Sequence, residues 1–591
     1  MQKLLVGLIS GAVLTTSALL CPAQAQTALF LTYPPTQHET IADRIFLIGT
    51  APLPGEVRVN GQLIDRTSAG HFAPSFPLKL GENRFTLRYG SQELNVRVMR
   101  LPTESEPPIG LAFGKDSLAP AVNLARQPGE DVCFGAIAAP GSTVSVKLAN
   151  QTIALLPQAQ ANLPPNSAVL TQQNQPGQTI GRYQGCTRSL PVGDLGKPQF
   201  QLTQMGKTID QSGPGGIKIL GVNELETAEV TAEAGVARSG PSTDYSRLTP
   251  LPKGAQASIT GAEGGWVRLD YGAWIQRSEV KITPNSVPPT SLIRSVRAQS
   301  IGDWTEIAFP LQVPVPVTVQ QSDRAFTLTL FNTIAQTDTI KLSDDPLISR
   351  LDWQQVGPRQ VQYTFNLKSS QQWGYKLRYE GTTLILSLRH PPRPQLRGLK
   401  ILLDPGHGGP EDLGSRGPTG YPEKAVALKV SQLLRDELVK RGAAVIMTRE
   451  ADVDLGLQER VTLIHKTEPT IALSLHYNAL PDSGDALNTK GVGTFWYQPQ
   501  AHSLAMFLHN YLVQKLDRPS YGVFWNNLAL TRPTVTPSVL LELGFMINPE
   551  EFEWVVNPNQ QERLAIAIAD GIEAWLRSTQ TGIDQASGGS N

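Results

Sequence analysis

Neither sign of charge dominates this chain: 51 Lys and Arg stand against 51 Asp and Glu, a formal net charge of zero. Without a global positive field there is nothing to hold phosphate backbones, so nucleic acid is excluded as an expected partner. Charged residues are sparse at 17%, below the usual ~25%, while hydrophobic residues reach 40%. That balance is globular, neither disordered nor a membrane bundle. Cysteine is scarce, three in 591 residues. Beyond the N-terminal stretch no segment approaches the ~18 uninterrupted apolar residues that a spanning helix needs. What is abundant is Gly (52) and Pro (46), which favours turn-rich β modules over long helices. The length suggests several domains at roughly 150 residues each.

The N-terminus sets the compartment. Lys3 gives a positive start, Leu4 to Leu20 form an apolar run broken by Gly7, Ser10 and Gly11, and Ala23-Gln24-Ala25 is a small-residue cleavage site. Residues 1–25 are read as a cleaved signal peptide, which sends a soluble or peripheral protein to the periplasm or cell wall. Leu20 before Cys21 is a poor fit to a lipid-anchor site. The two remaining thiols, Cys133 and Cys186, are expected to pair outside the cytoplasm.

Between residues 27 and 397, four stretches of short apolar runs alternate with Pro/Gly/Ser-rich joints at 101–110, 210–216, 284–290 and 390–394. In the first stretch, 27–100, Asn60-Gly61 between Val57-Arg58-Val59 and Gln62-Leu63-Ile64 predicts a two-residue hairpin. It reads as a small immunoglobulin-like sandwich. The second, 111–209, is β-rich, carries both cysteines, and has a Gln/Asn/Pro-rich middle (157–177) read as a long loop. The third, 217–283, contains Val236-Ala237-Arg238-Ser239-Gly240-Pro241-Ser242, Gly265-Trp266-Val267 and Ala273-Trp274-Ile275. These motifs resemble a bacterial SH3-like domain, a module that binds cell-wall peptides or other ligands; Trp266 and Trp274 are expected as core. The fourth, 291–390, is strand-like throughout and resembles, in position and strand pattern, the AMIN module that precedes some amidases. None of the four brings reactive residues together, so binding or spacing is their expected role.

From Leu399 the period changes. Strands are predicted at 400–403, 443–447, 471–475, 492–497 and 538–541, with helices at 423–441, 501–516 and 561–577. In the first helix Val426, Val430, Leu433, Leu434 and Leu438 share one face. Alternating strands and helices predict an α/β domain over 398–577 with a mostly parallel sheet, and 578–591 as a disordered tail. The whole is a multidomain chain: all-β modules, then an α/β catalytic domain.

Ligands of such sheets gather at the strands' carboxyl ends, and reactive residues fall there. His407 follows the first strand in Asp404-Pro405-Gly406-His407-Gly408-Gly409, His476 sits in Ser474-Leu475-His476-Tyr477-Asn478-Ala479, and Glu542 ends the last strand in Leu541-Glu542-Leu543-Gly544-Phe545. Glu423 opens the long helix. Hydrolytic zinc takes three N/O ligands and leaves a fourth position for water, and a nearby carboxylate can carry the proton. The glycines after His407 are expected to let backbone approach the metal. Spacing alone leaves this open, since neither H-E-x-x-H nor H-x-x-E-H occurs.

The ordered set D-P-G-H-G-G, a helix-opening Glu, Thr448-Arg449, S-x-H-x-N-A and E-x-G-F-x-x-N (Glu542 to Asn548) resembles the zinc-dependent N-acetylmuramoyl-L-alanine amidases of the Amidase_3 family. The resemblance implies hydrolysis of the amide joining the lactyl group of N-acetylmuramic acid to the L-alanine of the peptidoglycan stem peptide. It further implies Zn²⁺ held by His407, Glu423 and His476, with Glu542 as catalytic carboxylate. The loop 410–422 departs modestly from the family pattern. Too few residues separate His476 from Val492 for the regulatory helix of some relatives, so an open site is expected, with control left to the β modules. Two other functions remain: a zinc peptidase acting on stem peptides, and an inactive wall-binding protein on the same fold. His465, His502 and His509 are expected as surface or core, Asn478 and Asn548 as loop-shaping, and Arg449 as either structural or substrate-binding.

Overall fold

The computed structural model describes residues 28–102, 107–158, 160–164, 168, 177–179, 181–221, 224, 226–342 and 344–587. The expected signal peptide, 1–25, lies outside them.

The first β module stacks a three-stranded sheet (Phe30–Tyr33, Ile48–Thr50, His71–Phe72) near a five-stranded one that includes Gly81–Tyr89 and Gln92–Arg100. Ile45, Val57, Phe72, Phe85, Leu87 and Val98 fill the space between. Asn60 and Gly61 both take positive φ, 49° and 84°, as a primed two-residue hairpin turn requires.

In the second stretch Cys133 and Cys186 are directly opposite on paired strands and form a disulfide. Part of its expected long loop is ordered: Gln160–Asn162 pairs with Gly177–Thr179. The joint expected at 210–216 is a correction. Asp210 to Ser212 belong to the strand Lys207–Ser212, and Ile217–Ile219 follows immediately and pairs with Leu124–Arg126. Leu124–Arg126 in turn pairs with Gln256–Glu263 of the third stretch, so one sheet runs through both. Edge pairing won because polar residues such as Gln211 and Ser212 sit on the solvent side of a strand without penalty. The fourth stretch packs a five-stranded sheet on a four-stranded one around Ile307, Phe309, Phe326, Leu328, Tyr363 and Phe365.

The C-terminal domain runs β1 (Lys400–Pro405), α1 (Glu423–Lys440), β2 (Ala444–Met447), α2 (Leu457–Thr467), β3 (Ile471–Asn478), β4 (Val492–Trp496), α3 (Pro499–Leu516), β5 (Ser520–Trp525), β6 (Ser538–Phe545), α4 (Pro549–Val555) and α5 (Pro558–Ser587). Its sheet has the order β2-β1-β3-β6-β4-β5. Four of the five pairings are parallel, and β4 runs antiparallel to β6. Strands β1 and β3 are apolar and buried on both faces, as helix-covered parallel strands must be. Helix α1 buries Val426, Val430, Leu434 and Leu438 completely. Helix α5 continues to Ser587, past the boundary at 577 expected from sequence.

The first β module docks on this domain. Phe46, Ile48 and Ala73 pack with Ala486, Phe545 and Ile547. Thr32 donates to the carbonyls of Gly417 and Pro418, and His38 Nε2 meets Asp482 Oδ2 at 2.8 Å. Both loops that it grips, 410–422 and 479–491, flank the strand ends where the reactive residues lie. The second loop is irregular throughout, with no helix between β3 and β4.

Candidate metal centre

Strands β1, β3 and β6 point their carboxyl ends the same way, and this brings the expected residues to one rim. Register sets His476 of β3 beside Glu542 of β6, and Asp404 of β1 beside Ser474. His407 lies just beyond β1, and α1 begins at Glu423. Glu423 is only 3% exposed, and its Oε1 sits 3.2 Å from His407 Nε2 and 3.1 Å from His476 Nδ1. One ligand atom from each of the three lies within 4.8 Å of the other two.

A tetrahedral ion with arms of about 2.1 Å holds its donors roughly 3.4 Å apart, so the two measured separations fit. The donor chemistry fits as well: two imidazoles and a buried carboxylate are an N/N/O set for a borderline cation. A buried acid facing two imidazoles is held in its ionised form. Burial alone would raise Glu423, but hydrogen bonds and attraction from His407 and His476 carry it well below the usual carboxylate range. Burial would likewise lower His407, but Glu423 and Asp412 lift it to about 9. An ion at this position takes the place of that proton.

Each of the three is braced. Tyr477 N–H donates to Glu423 Oε1 at 2.9 Å, and Ser415 donates to Oε2 from both its N–H and its hydroxyl, at 2.8 and 2.9 Å. Asp412 Oδ1 takes His407 Nδ1 at 2.6 Å, which leaves Nε2 turned toward Glu423. A side chain at Gly406 would put its Cβ 2.3 Å from the His476 ring, and at Gly414 2.6 Å from both Glu423 Oε2 and the His407 ring. These two glycines, rather than those after His407, make room for the cluster. A Cβ at Gly408 or Gly409 would instead strike the Val453 carbonyl or Asp454.

Below the rim lies a polar network that sequence reasoning missed. Asp404 is 1% exposed and accepts from Arg460 Nη1 (2.7 Å), Thr448 Oγ1 (2.6 Å) and Ser474 Oγ (2.6 Å). Arg460 also donates to the carbonyls of Pro405 and His407, both at 2.7 Å. It thereby fixes the backbone of a ligand that sits at φ 58°, a left-handed conformation costly for His. Asp404 falls in the D-P-G-H motif, but nothing in the sequence marked Arg460 as its partner.

Glu542 differs from Glu423. Its Oε2 is shut off from solvent and has no hydrogen-bond partner. Burial, seconded by the negative Glu423, raises it well above the ordinary carboxyl value. Two acids on one rim are thus held in opposite states. That is the arrangement expected of one ligand and one proton carrier. A cleft of about 370 Å³ opens beside the pair of histidines, lined among others by Asp412, Asp454, Leu457 and Arg460.

The remaining candidates do not join the cluster. Arg449 is buried and donates to the carbonyls of Pro405, Gly406 and Lys424, which ties the His407 loop to α1. Asn548 caps α4 and holds the carbonyls of Leu487 and Thr489; Asn478 accepts from Ala479 N–H. His509 is buried against Ser520, and His465 and His502 are exposed on α2 and α3.

Fold and site define an α/β domain whose sheet rim presents a metal-competent His–Glu–His group with a second carboxylate, Glu542, whose buried Oε2 has no partner among the described residues. Residues 401–574 match the sequence profile of the Amidase_3 family, described as N-acetylmuramoyl-L-alanine amidase. The chain is 34% identical over 199 residues to the germination-specific N-acetylmuramoyl-L-alanine amidase of Bacillus subtilis, a stretch covering 30% of this chain and 79% of that protein. It is 33% identical over 184 residues to the probable cell wall amidase LytH of Staphylococcus epidermidis, spanning 31% of this chain and 60% of that one. Among solved structures, the amidase AmiC2 of Nostoc punctiforme aligns at 29% identity over 30% of this chain and 97% of its own, with a TM-score of 0.29. The chain belongs to the N-acetylmuramoyl-L-alanine amidase family.

Proposed function

We propose that the protein is a zinc-dependent N-acetylmuramoyl-L-alanine amidase of the cell envelope, cutting the amide between the muramoyl lactyl group and the L-alanine of the stem peptide. The observation that carries this reading is the gathering of His407, Glu423 and His476 beside Glu542, within the segment that matches the family. His407, Glu423 and His476 hold the ion. Zinc, when bound, supplies a Lewis acid that lowers the pKa of water from about 15.7 to about 7. Asp412 locks the ring of His407, and Ser415 with the Tyr477 amide fixes Glu423. Glu542 takes the proton of the attacking water and delivers it to the departing amine of L-alanine, a role suited to a buried carboxyl whose hold on a proton is strengthened.

Residues 1–25 act as the export signal in this reading. The β modules, Ig-like (27–100), β-rich (111–209), SH3-like (217–283) and AMIN-like (291–390), place the enzyme on the wall. Digestion of purified peptidoglycan separates the functions, with products read by mass spectrometry. Release of whole stem peptides from glycan strands that keep their lactyl groups is the expected result. Shortened peptides still attached to glycan would transfer the protein to the peptidase reading.

A further inference from the structure

The opposite end of the catalytic sheet carries a second concentration of charge. Because β4 runs antiparallel to β6, with Gly493 opposite Glu542 and Phe495 opposite Leu540, the chain leaves β4 at the rim away from the metal centre. Tyr497 follows there, four residues or roughly 13 Å along the strand from the level of Glu542. Its hydroxyl donates to the carbonyl of Arg247 in the third β module, at 3.3 Å. This seam gathers three arginines: Arg238 and Arg247, paired across a β-bridge, and Arg532 from the segment before β6, whose backbone carbonyl accepts from the side chain of Gln498, next to Tyr497, at 2.8 Å.

Among the described residues none of the three makes an ion pair. Arg238 is 6% exposed; its Nη1 donates to the carbonyls of Thr243 and Tyr245, and its Nε is buried without a partner. Arg247 has a buried, unpartnered Nε as well. Arg532 uses Nε and Nη2 on Asn527, and among the described residues its Nη1 meets no carboxylate. The carboxylate with a pull on Arg247 is Glu279, and its Oε2 already accepts the Val236 N–H at 2.6 Å. Burial and mutual repulsion drive Arg532 down to about 10 and lower Arg247 too. Confining three like charges with no carboxylate in ion-pair contact costs stability unless something else supplies one. Exposed aromatic surface borders the cluster: Tyr245 is 49% exposed, and Trp525, 59% exposed, stacks on Tyr497.

We propose that this seam is an oxyanion-binding site, in which Arg247 and Arg532 receive a carboxylate or phosphate group, Arg238 backs them, and Tyr245, Tyr497 and Trp525 take the apolar or sugar body that carries it. Guanidinium forks suit both anions bidentately, and the ring faces suit a glycan or peptide chain. The ligand is an anionic group of an envelope polymer, an assignment that rests on the amidase reading; the oxyanion site itself does not. Such a site grips the polymer on the face remote from the scissile amide.

The test uses the full chain, chelated so that no turnover occurs, at low salt to limit screening. Inorganic phosphate and the dipeptide Ala-Glu are titrated calorimetrically into wild type, Arg247→Gln and Arg532→Gln. One or both probes are expected to bind wild type, and each substitution to weaken binding about tenfold. Which probe binds names the source of the anion. Because like-charge repulsion is relieved, Arg247→Gln is expected to melt no lower than wild type, whereas a purely structural arginine would lower the melting temperature when replaced. A second measurement needs no variant: phenylglyoxal modification of wild type, mapped by mass spectrometry, is expected to spare Arg247 and Arg532 when the bound probe is present. Absence of binding by both probes, equal binding by the variants, or modification unaffected by the probes would overturn the site. Because turnover is never measured, these results stand even if the amidase reading fails.

Discussion

At the scale of single residues, the His–Glu–His group is held by side chains outside it. Asp412 holds His407 Nδ1 at 2.6 Å and so decides which ring nitrogen faces Glu423. Asp412→Asn keeps the shape but weakens that hold, and is expected to reduce metal affinity about 10- to 100-fold, read by competition with a chromophoric chelator. His407→Ala and His476→Ala each remove a ligand and are expected to leave the purified protein without stoichiometric metal. The gathering of His407, Glu423, His476 and Glu542 at one rim was legible from sequence because each sits in a short motif at a strand end or helix start. Asp412 and Ser415 were not, because they lie in a loop where sequence distance says little about which side chains turn inward. The role given to the glycines after His407 was misplaced for a similar reason: φ at Gly408 is 141°, but the space serves the Val453 carbonyl.

At the scale of elements, Asp404 and Arg460 bind three of them together. The pair is 1% and 3% exposed and joins β1 to α2, while Ser474 adds β3. Burial opposes the charge on Asp404, but Arg460 and two hydroxyls hold its carboxyl below the usual range. Asp404→Ala would strand a buried guanidinium, and is expected to cost about 3–5 kcal/mol of stability by denaturant unfolding. Strands β1 and β3 were readable because strands buried on both faces are nearly continuous apolar runs. Helix α2 was not, since it is short and buries only Arg460 and Ile464. Strand β5, at the sheet edge and half-buried, carried too weak a pattern to be seen.

At the scale of the whole molecule, the seam between the first β module and the catalytic domain governs the loops around the site. His71 lies in it, with Nδ1 at 2.9 Å from Thr50 Oγ1 and its ring against Phe552. Burial lowers His71 from its ordinary value of 6.5, against the pull of Glu553. The folded protein therefore binds this proton less readily than the unfolded chain. The stabilisation is whole above 6.5 and is lost as pH falls through and below that value toward the depressed folded pKa. Melting temperatures between about pH 8 and about pH 5 are expected to fall less for His71→Gln than for wild type. The Pro/Gly-rich joints suggested a modular plan, of which the joint at 210–216 is partly strand, and nothing in them announced the docking. Contacts such as His38 with Asp482 join residues 444 positions apart, and no local pattern announces them.

The central claim is that Glu542 moves the proton while His407, Glu423 and His476 hold the ion. Its most direct test is turnover of purified peptidoglycan by zinc-loaded Glu542→Gln beside zinc-loaded and chelated wild type, with metal content measured on each. The account expects the variant to retain its zinc and its fold but to lose about 10²- to 10⁴-fold in kcat, with chelated wild type inactive. A zinc-loaded Glu542→Gln protein as active as wild type would contradict it.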